Sequence, residues 1–394
     1  MTSSLSNMTT TDFSLTGTPA LNLTDTVGGC KVVYRNMPFL PWNNPHNLIS
    51  VQTQLLVTKS VAVFVTFICT LGFALNLVNC VVFAKLGLRD RINFLLFSNS
   101  CADVVACVYY VLHTIEYTYS LFLGDLRGYG PLGVALVNNG GNTLHGSAYV
   151  SRLISTLIAC ERCLCITSPF IAKKFLKTRT AGIIVGLASL ILMGLHSLVA
   201  LKFKVGCEYI PAIRASITTY YASEFYHNHP KLIDTLNVAV FAFTLPCFFL
   251  VATTLTTAIT AVKLKRASSW RNRASTVPTM ETKEMAVTKM LVAVSCVFIL
   301  CSLPNILSRI ISLFAPGMKL GGRNQNVHMV TVALLYLFNA INSSVNFIFY
   351  YKMGSSFRRI LRGVCVGCSE EQSISTDQLC TAVTSASVGG TETL

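Results

Sequence analysis

Seven stretches of the chain are apolar and long enough to cross a bilayer, and nothing else in the sequence narrows the choice of fold as far. They run at about 57–85, 92–119, 133–166, 180–203, 232–264, 285–315 and 326–351, against the roughly 20 residues a helix needs to cross the hydrocarbon core. In lipid every backbone N–H and C=O must find its partner within the segment, so the spans are expected to be helices. Of the 394 residues, 52% are hydrophobic and 12% charged, which leaves no large soluble domain beside the spans. The expected fold is all-α, with a seven-transmembrane helix bundle over 57–351, an outer tail over 1–56 and an inner segment over 352–394. The third run is the least apolar. Its stretch from Val137 to Ser147 is rich in Asn and Gly, tolerable only against other helices or water, which places this span at the bundle centre.

A net charge of +15 would suit nucleic acid in a soluble protein, but in an apolar chain basic residues mark the cytoplasmic flanks of spans. Lys and Arg gather from Lys85 to Arg91, Lys173 to Arg179, Lys263 to Lys283 and Lys352 to Arg362, all on one side. The amino terminus is therefore expected outside and the carboxyl terminus inside. No basic start with an apolar core precedes the first span, so that span is expected to direct insertion, with the plasma membrane as destination. Sequons at Asn7 and Asn22 fall in the outer tail, open to glycosylation, whereas the sequon at Asn342 lies inside a span. Of fifteen cysteines only Cys30 and Cys207 fall outside, so at most one structural disulfide is expected. From Gly354 to Arg362, Phe357, Ile360 and Leu361 share one face and Arg358, Arg359 and Arg362 the other, the pattern of an amphipathic helix on the inner membrane surface. Cys365 and Cys368 follow, as palmitoylation sites or as plain thiols. The remaining tail is Ser/Thr-rich and is expected to be disordered and open to kinases.

The inner end of the third span reads Glu161-Arg162-Cys163, and the seventh ends Asn346-Phe347-Ile348-Phe349-Tyr350 before reaching Phe357. Asn76 lies in the first span, Asp103 in the second, Pro246 in the fifth, and Phe298, Cys301 and Pro304 in the sixth. In order and spacing these residues resemble the rhodopsin-like (class A) G protein-coupled receptors over roughly 57–365, with their Asp/Glu-Arg-Tyr and Asn-Pro-x-x-Tyr patterns. Within that family, Glu161 to Ile166 and the inner Lys263-Leu264 of the fifth span look similar to chemosensory and peptide-receptor-like proteins of molluscs. Several positions depart from the pattern. The third span has no Cys at its outer end, so Cys207 is either free or paired with Cys30. The fourth span has no Trp, the sixth-span Trp is Ser302, the fifth-span Tyr is Thr254, and the seventh-span Pro is Phe347.

A buried Arg is costly unless paired, so Arg162 is expected to be held by Glu161 and by an acid on another helix. Glu284, twenty residues before Pro304, stands where the resemblance places such a latch; the alternative is a solvated Glu284 and a snorkelling Arg162. The resemblance implies that separation of the sixth span frees Arg162 to meet a G protein, with Asn346 and Tyr350 completing the switch. Asp103 is a lone mid-membrane carboxylate that needs a cation, a proton or several donors. Ser151, Asn342, Ser343 and Asn346 match the family's sodium pocket, and a protonated Asp103 bonded to the same groups is the alternative. Arg152 lies deeper than Arg162, where the family packs an apolar side chain between Pro246 and Phe298. It is expected to meet an acid, a carbonyl or an anionic ligand group, or else water in an open cavity.

Candidate ligand contacts are His113, Glu116 and Tyr117 on the second span, Asn142, His145 and Tyr149 on the third, and the outer segment bearing Tyr220, Tyr221, Tyr226, His227 and His229. Leu144 stands where amine receptors carry Asp, and Ala340 where opsins carry the retinal Lys, so the resemblance disfavours both ligands. The expected function is a receptor, not an enzyme, with no cofactor beyond that sodium ion. It would couple an external peptide or small chemical ligand to heterotrimeric G proteins, with receptor kinases, arrestin and the bilayer as further partners and no nucleic acid. The alternative is a transporter or channel, which could also use Asp103, Arg152 and Arg162, although no inverted repeat or paired Gly/Pro-broken helices are seen.

Overall fold

Helices follow the apolar runs closely in the computed structural model, which describes residues 26–27, 30–32, 44–123, 131–175, 177–211, 215–271, 279–315, 317–318 and 322–364. Six helices are long and apolar enough to cross a membrane: Val51–Leu86, Arg91–Ile115, Thr178–Ala200, Pro230–Arg266, Met285–Phe314 and Gln325–Met353. The first two belong to α1 (Val51–Leu86) and α2 (Arg91–Leu123). α1 is opened by Ser50, whose hydroxyl accepts from the Thr53 N–H at 3.1 Å. The expected tail features, Asn7, Asn22, Cys365 and Cys368, lie outside the described residues, as does the chain beyond 364.

The third run is not one helix. It divides into α3 (Pro131–Asn138), a tight 3-10 turn (Gly141–His145) and α4 (Gly146–Thr167). Gly140 takes φ +75°, a conformation costly for a residue with a side chain, and a Cβ on Gly141 would lie 2.6 Å from the Leu136 carbonyl oxygen. The Asn- and Gly-rich stretch that marks this run as weak is thus the break itself. α4 packs against α2, α6 (Thr178–Ala200), α9 (Leu245–Arg271) and α10 (Thr279–Phe314), which places it centrally as expected. A short α5 (Pro169–Phe175) connects α4 to α6 on the inner side.

A short α7 (Glu224–Asn228) precedes the fifth span, which begins with α8 (Pro230–Asp234) and widens into a π-helix over Thr235–Thr244 before α9. The widening ends at Leu245, whose N–H reaches Val240 C=O. The next donor in that pattern would be residue 246, but Pro246 has no N–H, so Phe241 C=O is orphaned. The Tyr149 hydroxyl from α4 donates to it at 3.1 Å.

The seventh span bends without a proline. α11 (Gln325–Ser344) and α12 (Asn346–Met353) meet at Val345, and the Asn76 amide of α1 donates to the freed Ser343 carbonyl at 2.7 Å. A side chain inserted into the helical ladder is a sufficient cause for the bend where the expected Pro is Phe347. The same approach depends on Gly72, because a Cβ there would lie 2.7 Å from Ser344 Cβ and 2.1 Å from its Oγ. Gly72→Ala is expected to push α11 from α1 and to lower stability by about 1–3 kcal/mol. Thermal unfolding of the purified protein checks this, and an unchanged midpoint would contradict it.

Residues 355–364 form α13. Phe357 is buried beside Phe83 and Tyr350, with ring centroids 5.5 and 5.9 Å away, while Arg359 and Arg362 are exposed. Arg358 donates to the Tyr351 and Lys352 carbonyls at 2.8 and 2.6 Å, closing the end of α12 with a cation.

The all-α expectation requires one correction. A four-stranded sheet lies beyond the spans, in the order β1 (Thr26–Val27), β2 (Cys30–Val32), β3 (Phe203–Ile210) and β4 (Ala215–Ala222). β3 and β4 form an antiparallel hairpin, and β2 runs parallel to β3 with Lys31 opposite Glu208. Strands can form here because this segment lies outside the apolar runs and is rich in β-branched and aromatic residues.

Candidate functional site

At the inner end of α4, Glu161 is 3% exposed and receives two guanidinium groups. Arg91, from the first turn of α2, donates through Nε to Glu161 Oε1 at 2.8 Å and pairs with it again through Nη2. Arg162 donates through Nη2 to the same oxygen at 2.6 Å and through Nε to the other. The Cys165 thiol donates to Oε1 at 3.3 Å. A carboxylate this buried is sustained only by such charge-assisted bonds. The expected contact of Arg162 with Glu284 lies outside the described residues, since the Glu284 side chain is not among them. Arg91 was expected only as a flanking inner charge, and here it joins α2 to α4.

Tyr350 is 1% exposed, packed edge-on against Phe83 at 5.1 Å. Among the core positions, Asn76, Phe298 and Cys301 are buried. Pro304 interrupts the ladder within α10, where the Asn305 amide turns back to Cys301 C=O at 3.4 Å.

Halfway up the bundle, Asp103 is fully buried. Asn99 Nδ2 donates to it at 2.8 Å, Ser151 Oγ at 2.7 Å and Asn346 Nδ2 at 3.1 Å, and Ser343 is buried nearby on α11. Asn99 in turn accepts from Ser155 at 3.2 Å. Asn342 is half-buried and makes none of these bonds among the described contacts, while Asn99 joins the expected Ser151 and Asn346 around Asp103.

Above this network lies an open cavity of about 180 Å³ bounded by α4, α10 and α11. Arg152 lines it and donates to Asn339 Oδ1 at 2.7 Å, with its guanidinium carbon 5.1 Å from the Tyr149 ring centre. The Asn305 amide donates to the same Asn339 oxygen at 3.2 Å. A small neighbouring pocket of about 30 Å³ is lined in part by Arg152, Pro246 and Phe298.

Of the candidate ligand contacts, the fold brings His113, His145 and Tyr149 into one aromatic group with Tyr109, His196 and Tyr336. His145 stands 4.9 Å from Tyr109 and 5.2 Å from His196, and His113 stands 5.0 Å from Tyr336. His145 and Tyr149 face the larger cavity. Asn142 is half-buried and apart from it, and the side chains of Glu116, Tyr117 and Tyr220 lie outside the described residues. Arg309, His328 and Asn339 were missed as cavity residues. Arg309 carries the same signal as Arg152, a basic residue within an apolar run.

The outer sheet is fastened over this region. Asn138 Oδ1 accepts from Val205 N–H at 2.9 Å, and its Nδ2 donates to Val205 C=O at 2.8 Å. This double bond from α3 to β3 ties the third run to the outer loop where no third-span Cys is present. Cys207, two residues on, is disulfide-bonded, and the parallel register sets Cys30 beside it in the backbone. At the base of the hairpin, Lys202 and Tyr226 both bond Asp234, at 2.6 and 2.9 Å. The Asp234 carboxylate accepts the phenol's proton and so raises the Tyr226 pKa above its ordinary value.

Comparison with curated proteins gives no match. Comparison with protein families matches residues 75–350 to the 7 transmembrane receptor (rhodopsin family) model.

Proposed function

The chain belongs to the rhodopsin family of seven-transmembrane receptors, and from that premise we propose that it sits in the plasma membrane, amino terminus outside, and couples an external ligand to heterotrimeric G proteins through Arg162. The observation that carries this reading is the buried group of Glu161, Arg91 and Arg162 at the inner end of α4, below an outward cavity on the same helix. A ligand that favours a second arrangement of α4 and α10 would shift the population in which Arg162 is released. Glu284 is the acid we assign to hold Arg162 from α10 at rest. The ligand is a peptide or a waterborne chemical of the kind that molluscan chemosensory and peptide-receptor-like proteins would suggest. Receptor kinases and arrestin would meet Ser268, Ser269, Ser275, Thr276 and the Ser/Thr-rich tail. Family membership removes the ground for the transporter alternative.

Cells expressing the full chain with a promiscuous G protein, challenged with amidated peptides and waterborne odorants, test the proposal. Ligand-dependent nucleotide exchange without solute flux is expected. Flux without exchange would overturn it.

Asp103, Ser151, Asn342, Ser343 and Asn346 are the residues we assign to a sodium ion; the oxygens of Asp103, Ser151 and the adjoining Asn99 lie in one bonded group and are of the hard type that fits such an ion. Bound there, sodium would neutralise Asp103 and favour the resting state. We also assign the partner of Cys207 to Cys30, which would pin the outer tail to the hairpin. Peptide mapping without reduction is expected to recover a Cys30–Cys207 crosslink, and Cys30→Ser to leave an alkylatable Cys207. Recovery of Cys207 joined to another cysteine would contradict the assignment.

A further inference from the structure

We infer that the cavity between α4, α10 and α11 takes a ligand bearing an oxyanion, a carboxylate, sulfate or phosphate, held between Arg152 and Arg309. The inference rests on the receptor reading and adds to it the chemical class of the ligand.

Arg152 and Arg309 line both adjoining cavities, one from α4 and one from α10, so two cations from two helices border one space. His145 and His328 add further nitrogen groups to the larger cavity. Among its described lining residues there is no Asp or Glu. The described carboxylates nearest the bundle interior are engaged elsewhere. Asp103 is bonded by Asn99, Ser151 and Asn346, Glu161 by Arg91 and Arg162, and Asp234 by Lys202 and Tyr226.

A guanidinium has five N–H donors in a fixed fork, and the bond from Arg152 to Asn339 occupies one of them. Asn339 Oδ1 already accepts from both Arg152 and Asn305, and an amide carbonyl carries no net charge to balance the cation. Two like charges facing a cavity within a low-dielectric bundle repel one another and favour an anion between them. The flanking Asn305, Ser308 and Thr331 offer uncharged hydrogen bonds that would fix the orientation of the rest of the ligand. A neutral or cationic ligand would leave the partly buried Arg152 guanidinium without a matching charge.

The purified full-length receptor is titrated with sodium sulfate against sodium chloride at equal ionic strength, with the unfolding temperature as readout. Two peptide libraries without Asp or Glu follow, one ending in a free carboxylate and one amidated. Sulfate is expected to stabilise the wild type, and Arg309→Gln, on the exposed wall, to weaken its apparent affinity about tenfold. Arg152→Gln should act in the same direction and Arg152→Lys keep part of the effect. Stabilisation by the carboxylate library alone assigns the anion to a peptide terminus. Response to sulfate but to neither library assigns it to a small organic anion. Sulfate acting no differently from chloride, Arg309→Gln responding as the wild type, or equal stabilisation by the amidated library would each overturn the inference. The readout uses no G protein, so its failure is distinct from a failure of coupling.

Discussion

Glu161→Gln is expected to raise basal nucleotide exchange about tenfold, equivalent to ~1.4 kcal/mol removed from the resting state. Glu161 is the described acid that holds Arg162, and it is 3% exposed, so its loss leaves two guanidinium groups facing one another with the charge that joined them gone. Breaking a buried pair from one side costs about 3–5 kcal/mol; Arg91 and Arg162 retain 20% and 14% exposure, so the stability loss should fall at or below the lower end of that range. Arg91→Ala separates the two effects. It removes the tie between α2 and α4 but leaves Glu161 bonded to Arg162, so the unfolding temperature should fall while basal exchange stays low. Basal exchange in Glu161→Gln equal to the wild type, at matched surface expression, would show that this acid does not restrain Arg162.

The second large effect is expected at Asp103. Asp103→Leu removes the acceptor of Asn99, Ser151 and Asn346 together and leaves those donors buried. Each unmet group costs about 1–3 kcal/mol, so the sum approaches the whole stability of a typical domain and little receptor should reach the surface. Asp103→Asn keeps an acceptor oxygen and nearly the same shape. It should fold and reach the surface, but lose any dependence of agonist affinity on sodium concentration. Surface labelling and ligand titration in sodium against potassium measure both. Normal trafficking of Asp103→Leu would mean the network is not what holds α2, α4 and α12 together.

The spans were legible because a bilayer demands long apolar runs, and six helices follow those runs within a few residues. The third run signalled its own break through Asn139, Gly140 and Gly141, yet periodicity could not say that Gly140 turns to positive φ. The π-helix left no trace in an apolar segment with no polar face; the single hint was Pro246, which cannot donate to Phe241. The β3–β4 hairpin was readable in principle from Phe203–Ile210 and Ala215–Ala222, whose Thr, Tyr, Val and Ile content favours strands. Asn342 and Asn346 share a face of a continuous helix, but α11 ends at Ser344 and Asn346 opens α12, so of that pair only Asn346 bonds Asp103 among the described contacts. Asn99 was within reach of sequence reasoning, since it stands one turn before Asp103 on α2. The pairing of Arg91 with Glu161 was not, because seventy residues separate them and only the packing of α2 on α4 brings them together.

Arg162 is the residue through which coupling is expected to pass. The full-length receptor and its Arg162→Leu variant, reconstituted with heterotrimeric G protein at equal density, should differ in agonist-driven nucleotide exchange by about a hundredfold or more, while agonist binding stays within a few-fold. Equal exchange in the two would contradict the account.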